Sequence, residues 1–142
     1  MESTTRTKNL ATLRDYFSKI ATGDVDLLAT FWHDDLVFEA PFSFTGTPSR
    51  TSGKQAVYER LSTSYGLVTM AFEITVVHEL VDPDAFMVEY TSTGRMLHDN
   101  SSYENVYITL VQFTAGKISL FREFYDSRRC AAAFAPLLSA DH

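Results

Sequence analysis

From Ala71 to Asp126 the chain reads AFEITVVHELVDPDAFMVEYTSTGRMLHDNSSYENVYITLVQFTAGKISLFREFYD. Apolar and polar residues alternate through most of this stretch, and a period of two is typical of β-strands. Short turn sequences rich in Asp, Asn, Pro and Gly divide it, so neighbouring strands are predicted to run antiparallel. The pattern therefore predicts four long strands, at residues 71–81, 85–97, 101–114 and 117–126.

The residues before this stretch favour helices. A first amphipathic helix that ends at Gly23 is predicted by apolar residues at every third or fourth position: Leu10, Leu13, Phe17 and Ile20. A short helix is predicted after the N-cap Asp24, a short strand at residues 36–40, and further helices at 54–65 and 129–138. Helices followed by a meander of strands predict an α+β fold in one domain, residues 1–142, with the helices on one face of a curved sheet.

Composition and charge exclude several classes of protein. Of the 142 residues 45% are hydrophobic and 13% aromatic, which indicates a globular chain with many bulky rings. A formal net charge of −6 gives no basic surface for nucleic acid or for an anionic membrane. The chain lacks an apolar run of the roughly 20 residues that a membrane span needs. Neither nucleic acid nor a membrane is therefore expected as a partner.

The remaining composition bears on location and cofactors. Cys130 is the single cysteine, so no internal disulfide can form, and the N-terminus is polar without an apolar signal stretch. A cytoplasmic protein is therefore expected. The histidines outside the tail lack a paired spacing such as i and i+4, and no glycine-rich phosphate loop is present, so neither a metal nor a nucleotide cofactor is expected.

The order of these elements and three sequence segments, residues 82–89, 103–105 and 122–124, resemble a known family. The chain is similar to the SnoaL-like branch of the nuclear-transport-factor-2 superfamily, and within it to the small dimeric proteins of phenazine biosynthesis. The resemblance implies a cone, in which a strongly curved and mainly antiparallel sheet wraps around three N-terminal helices. It also implies an apolar pocket at the open end, and a homodimer formed through the outer face of the sheet.

Glu123 is the first candidate catalytic residue. Alternation places it on one strand face with Phe121 and Tyr125, where little water would surround the acid. Desolvation disfavours the charged form, so the group would keep a proton near neutrality and could act as a general acid or base. It also falls on the proposed general acid of the phenazine proteins. The alternative is a structural ion pair with Arg95 or Arg60.

Further candidates come from the resemblance and from the strand pattern. More distantly the chain resembles ketosteroid isomerases, whose oxyanion-hole tyrosine and acid fall on Tyr16 and Asn105. Their catalytic base falls on Ala40, so that proton shuttle is missing. Of the helical neighbours Tyr16 and Phe17, only one is expected to face fully inward, and the resemblance favours Tyr16. His98, at a turn, is a further catalytic candidate that could reach the pocket mouth.

The substrate-binding wall is predicted to contain mainly aromatic residues. In the third helix the serine of the phenazine proteins falls on Ser64, and their histidine one turn earlier is replaced here by Arg60. Tyr103, Asn105 and Tyr107 share one strand face, and they would either donate to a ligand oxygen or satisfy one another in the core. The predicted wall comprises Trp32, Phe38, Arg60, Ser64, Phe72, Phe86, Tyr90, Tyr103, Tyr107, Phe121 and Tyr125.

The function expected from these features is cofactor-free acid/base chemistry on a small apolar or aromatic substrate in secondary metabolism. Glu123 would transfer the proton, while Tyr16 and Asn105 would hold a developing negative oxygen. Cyclisation, isomerisation, dehydration, condensation and epoxide opening all fit such a site. A non-catalytic ligand-binding or accessory protein, or an interaction module acting through the exposed sheet face, is the alternative, because fold alone does not decide function.

Overall fold

The computed structural model describes residues 2–43 and 48–139 of the chain. Four α-helices and six strands are present in these residues, and a single 3₁₀ turn, Ile20–Thr22, follows the first helix. In chain order the elements are α1 (Glu2–Lys19), α2 (Val25–Ala29), β1 (Trp32–Glu39), β2 (Arg50–Ser52), α3 (Lys54–Tyr65), β3 (Val68–Glu79), β4 (Ala85–Met96), β5 (Ser102–Thr114), β6 (Lys117–Tyr125) and α4 (Ser127–Ser139).

The six strands form one mixed sheet in the order β2-β1-β6-β5-β4-β3. The strands β3 to β6 make the predicted antiparallel meander, and β1 pairs with β6 in parallel. The α+β prediction is confirmed: a curved, mainly antiparallel sheet packs around the N-terminal helices. A shift in the β3–β4 register between Ile74 and Val76 marks an irregularity of the bulge type, which bends a strand.

The first helices begin and end where their sequence signals indicate. Gly23 has a left-handed backbone, with φ of 65°, at the end of the turn that follows α1. The Asp24 side chain then accepts a hydrogen bond from the Leu27 amide at 3.1 Å and caps α2. Strand β2 was not predicted, because its three polar residues are too few to show a period. No helix among the described residues is long and apolar enough to cross a membrane.

The core lies between α1 and the concave face of the sheet. Tyr16 and Phe17 are both buried, so the expectation that only one of them faces fully inward is wrong. The reason is the curvature of the sheet, which contacts a wide arc of the helix surface. The Tyr16 ring lies 5.3 Å from Phe31, whereas the Phe17 ring packs edge-on to Tyr90 at 4.8 Å.

Candidate active site

A cavity of about 610 Å³ lies between the sheet, α3 and α4. This volume is within the usual range of small-molecule sites, roughly 300–1,000 Å³. Most of the lining is apolar or aromatic, and rings from three strands, Phe38, Phe72 and Phe121, form part of its wall. The carboxylic acids and the cation of this wall are Glu123, Glu59 and Arg60, and the Glu59 side chain is exposed.

The alternation of β6 decides which of its side chains reach the cavity. Phe121, Glu123 and Tyr125 line it, as expected for residues two positions apart. Arg122, between them, lies on the opposite face of the sheet, where its Nε donates to a Glu39 carboxylate oxygen at 2.8 Å. Strand β6 therefore directs the Glu123 carboxylate into the cavity and the Arg122 guanidinium to the opposite face of the sheet.

Tyr90 holds the Glu123 carboxylate. Its hydroxyl donates to Glu123 Oε2 at 2.9 Å and lies 2.7 Å from the Thr109 hydroxyl, which can donate to it. The Tyr90 ring is fully buried and stacks on Tyr107, with 4.6 Å between the ring centres. Because packing fixes the ring, the phenol keeps the carboxylate in one orientation. Tyr90 is thus behind the cavity wall rather than in it.

Burial raises the pKa of Glu123 to about 7, while the Tyr90 hydrogen bond and the positive charge of Arg60 act in the opposite direction. A carboxyl group with this pKa is present in both protonation states near neutral pH. It can therefore give a proton or take one.

Glu123 does not form a structural ion pair with a described residue. In the described part of the chain, no Lys, Arg or His nitrogen lies within 4.0 Å of the Glu123 carboxylate. Arg95 donates to the Asn100 carbonyl at 3.1 Å, and Arg60 donates to the Pro48 carbonyl at 2.6 Å and the Thr51 hydroxyl at 2.9 Å. Neither predicted arginine partner therefore forms an ion pair with Glu123.

Tyr16 contributes a second polar group to the cavity. Its hydroxyl accepts a hydrogen bond from the Trp32 indole N–H at 3.1 Å, so its own proton can point to a ligand. Burial raises the pKa of Tyr16, which keeps the phenol neutral and a hydrogen-bond donor. Trp32 itself lies behind Tyr16 and positions it.

Comparison with known proteins identifies the family. The family description of the SnoaL-like domain matches residues 13–121, which is most of the chain. The chain belongs to the SnoaL-like family. The resemblance noted from the sequence is thereby confirmed, and it extends to relatives over nearly the full length of the chain.

Among the relatives of this SnoaL-like protein is the uncharacterized protein YesE of Bacillus subtilis, 23% identical over 89% of this chain and 87% of YesE. A phenazine biosynthesis-related protein from Pseudomonas aeruginosa has a similar structure, with a TM-score of 0.78 and 23% identity over 94% of this chain and 89% of its own. An epoxide hydrolase from M. tuberculosis aligns with a TM-score of 0.70 and 18% identity, over 94% and 97% of the two chains. The two structural similarities show that this chain has the same fold as those proteins.

Asn105 lies behind the cavity wall of the SnoaL-like fold. Its amide nitrogen donates to the Tyr103 hydroxyl at 2.8 Å and to the Asp126 carbonyl at 3.1 Å, and its oxygen accepts from the Val106 amide at 2.8 Å. Both amide protons are therefore used within the protein. The expectation that Asn105 donates directly to a substrate oxygen needs correction, because its side chain orients Tyr103 and the end of β6.

Three other predicted residues are also outside the lining of this cavity. His98 follows β4 and lies 3.3 Å from the Asp99 carboxylate, away from the cavity wall. Phe86 is fully buried in the core, edge-on to Phe113 at 6.1 Å, and Trp32 is buried behind Tyr16. Strand alternation predicted an inward direction for Phe86, but the inner face includes core as well as cavity.

The remaining predicted residues converge on the cavity of the SnoaL-like protein. Glu123 and Tyr16 supply polar groups at the wall, and the others surround them. The predicted residues that line the cavity are Tyr16, Phe38, Arg60, Ser64, Phe72, Tyr103, Tyr107, Phe121, Glu123 and Tyr125.

The C-terminal helix α4 supplies lining residues that the sequence reasoning missed. Cys130, Phe134 and Leu137 face the cavity at helical spacing, and the Phe134 ring is edge-on to Tyr103 at 6.2 Å. Burial raises the pKa of the Cys130 thiol to about 11, so it is a neutral neighbour of the tyrosines. The i, i+4, i+7 apolar spacing of this helix was the available signal. Among the described residues, no group of three or more His, Cys, Asp or Glu side chains is placed to hold a metal ion.

Proposed function

We propose that this SnoaL-like protein is a cofactor-independent enzyme that transfers protons on a small apolar or aromatic substrate. The observation that supports this proposal most is the Glu123 carboxyl, which is desolvated, held by Tyr90 and free of a close cationic partner in the described residues. A structural acid is normally paired or solvated. A site for general acid/base catalysis needs a group whose pKa is near the working pH.

The proposed chemistry divides between two groups. In its ionised form Glu123 removes a proton from a substrate carbon or hydroxyl, and in its protonated form it returns one to the leaving or newly formed anion. The Tyr16 hydroxyl, whose oxygen accepts from Trp32, donates to the substrate oxygen on which negative charge develops. Cyclisation, isomerisation, dehydration, condensation and epoxide opening are the reaction types that this pair of groups serves.

The names of the structural neighbours agree with small-molecule chemistry. One is a phenazine biosynthesis-related protein and another an epoxide hydrolase. Because identity to them is 23% and 18%, they support the type of site and not a particular substrate. We place the reaction in secondary metabolism on this basis. The cytoplasmic location expected from the sequence stays a prediction.

A general proton-transfer probe tests the proposal without the natural substrate. Nitrobenzisoxazole is planar and aromatic, and its ring opens when a base removes the proton on carbon: the N–O bond breaks and a coloured nitrile phenolate forms. The catalysed rate should increase with pH around a midpoint of about 7, because the ionised form of Glu123 is the base. A midpoint at the 4.5 of an ordinary glutamate, or no catalysed reaction, would contradict the proposal.

Replacing Tyr90 with Phe should raise the pKa of Glu123 further. The Tyr90 hydrogen bond stabilises the carboxylate, so its removal favours the protonated form. The midpoint of the pH–rate profile for the probe should therefore move above its wild-type value. Thr109→Val keeps the Tyr90 phenol and serves as a control, with a smaller shift. An unchanged or lower midpoint in Tyr90→Phe would show that the phenol does not act on Glu123.

We also propose a homodimer formed through the outer face of the sheet. On β5, Val106 and Ile108 of this face are 47% and 37% exposed, and the family resemblance supports a partner there. Ile108→Glu should convert the dimer to a monomer at micromolar concentration, because two buried charges would meet across a two-fold axis. Val81→Glu, in the turn after β3, changes an exposed valine elsewhere and should stay dimeric. A wild-type protein that sediments only at 16 kDa would exclude the dimer.

A further inference from the structure

Arg60 is a cation in the wall of a mainly apolar cavity. It lies on α3, and its Nη1 donates to the Pro48 carbonyl at 2.6 Å and to the Thr51 hydroxyl at 2.9 Å. These two bonds use both protons of that nitrogen and fix the guanidinium against the segment that precedes α3. A flexible surface arginine would not be held in this way.

Aromatic stacking restrains the same group on another side. The guanidinium carbon lies 4.9 Å from the centre of the Phe38 ring, and Phe38 stacks on Phe121 at 5.7 Å with an angle of 10° between the rings. Arg60, Phe38 and Phe121 thus form a continuous stack along the cavity wall. Glu123 is two residues beyond Phe121 on the same strand face; the positive charge of Arg60 acts on its pKa, but the two groups do not form an ion pair within 4.0 Å.

The free donors of Arg60 have no acidic partner in the described residues. No Asp or Glu oxygen there lies within 4.0 Å of its guanidinium, although Nε and Nη2 carry three more protons. The Arg60 side chain is half-buried, and this burial lowers its pKa. Leaving a half-buried cation without a directly bonded anion is unfavourable. The Nε–Nη2 edge of a guanidinium matches the two oxygens of a carboxylate.

The geometry points to a substrate that carries a carboxylate on its apolar or aromatic body. Arg60 would bind the carboxylate through its Nε–Nη2 edge, the rings of Phe38 and Phe121 would contact the body, and Glu123 would act on a more distant atom. This inference rests on the proposed function for the chemistry at Glu123, but the binding step can be tested separately. It assigns Arg60 to recognition and excludes it from proton transfer.

The test compares two probes that differ only in charge, naphthoate and its neutral amide, naphthamide. Calorimetric titration at about pH 6 should show that wild-type protein binds naphthoate more tightly by about 10-fold or more, as a charge-assisted bidentate pair implies. Arg60→Gln should remove this preference by weakening naphthoate binding and leave naphthamide affinity within about two-fold. Arg95→Gln removes a surface arginine outside the cavity lining and should keep the preference.

A folding defect can be separated from a binding defect with a second variant. Arg60→Lys retains the positive charge but not the planar fork, so it should bind naphthoate several-fold more weakly than wild type and naphthamide equally well. Equal affinity of wild type for the two probes, no measurable binding of either, or a preference that survives in Arg60→Gln would overturn the inference.

The Glu123→Gln variant distinguishes failure of this inference from failure of the proposed function. It should keep the naphthoate preference even though it loses proton transfer. If the preference is present but proton transfer does not depend on Glu123, then the carboxylate site stands and the catalytic proposal fails. If the preference is absent while proton transfer requires Glu123, then the catalytic proposal stands and the carboxylate site fails.

Discussion

Replacing Glu123 with Gln should reduce the catalysed ring opening of nitrobenzisoxazole by at least about 100-fold at pH 8, since general base catalysis typically contributes this much or more. Glutamine has nearly the same volume and its carbonyl can still accept the Tyr90 hydrogen bond. It cannot take a proton. The affinity for naphthamide should change little, so the loss should appear in turnover and not in binding.

A matched control for this substitution is Glu104→Gln. Glu104 is exposed on the outer face of β5, so the same chemical change there should leave turnover unaltered. Full activity in Glu123→Gln, or an equal loss in both variants, would mean that Glu123 is not the base.

Phe17→Ala should lower the free energy of unfolding by about 3–5 kcal/mol, the usual cost of removing a buried Phe ring. The Phe17 ring is edge-on to Tyr90 at 4.8 Å and lies 5.9 Å from Phe72 and 6.1 Å from Phe121. Its loss would leave a void beside the residue that holds Glu123. We therefore expect the variant to lose catalytic activity as well as stability. Denaturant unfolding monitored by circular dichroism measures the loss of stability.

Phe42→Ala makes the same change at a ring that is 61% exposed. It should cost about 1 kcal/mol or less, because little apolar surface leaves the interior. A similarly small cost for Phe17→Ala would show that the ring does not support the core as the packing implies.

The long strands could be predicted because their alternation is regular over many residues. On β5 every second residue from Tyr103 to Phe113 is buried, which is the period-two signal that the sequence carries. The end of the first helical segment and the start of α2 could be placed because Gly23 and Asp24 are specific end signals. Strand β2 has neither a period nor such a signal, and it forms because β1 offers an edge for pairing.

The site was predictable only in part, since a strand pattern gives the face of a residue and not its distance from a cavity. Glu123 was found because an acid between two rings on one face is unusual. Asn105 is on the same inner face, yet its amide is used inside the wall. Phe134 and Leu137 of α4 were missed, because the position of a terminal helix depends on tertiary packing.

The stability of wild-type protein and of Glu123→Gln, measured by denaturant unfolding from about pH 4.5 to pH 8, tests most directly whether Glu123 is a desolvated acid without an ion pair. Its pKa is about 7 in the folded protein, against an ordinary value of 4.5, so the folded state binds the proton more tightly. Stability of the wild type should therefore fall as pH rises through this range, by up to about 3 kcal/mol.

Glutamine does not titrate, so the variant lacks this loss. Relative to wild type, Glu123→Gln should gain up to about 3 kcal/mol in unfolding free energy between pH 4.5 and pH 8. If Glu123 instead formed an ion pair, the stability difference between the variant and the wild type would change with pH in the opposite direction, because a paired carboxylate stabilises the wild type as pH rises. A stability difference that stays constant with pH, or that increasingly favours the wild type at high pH, would contradict the assignment of Glu123 as the proton-transfer group.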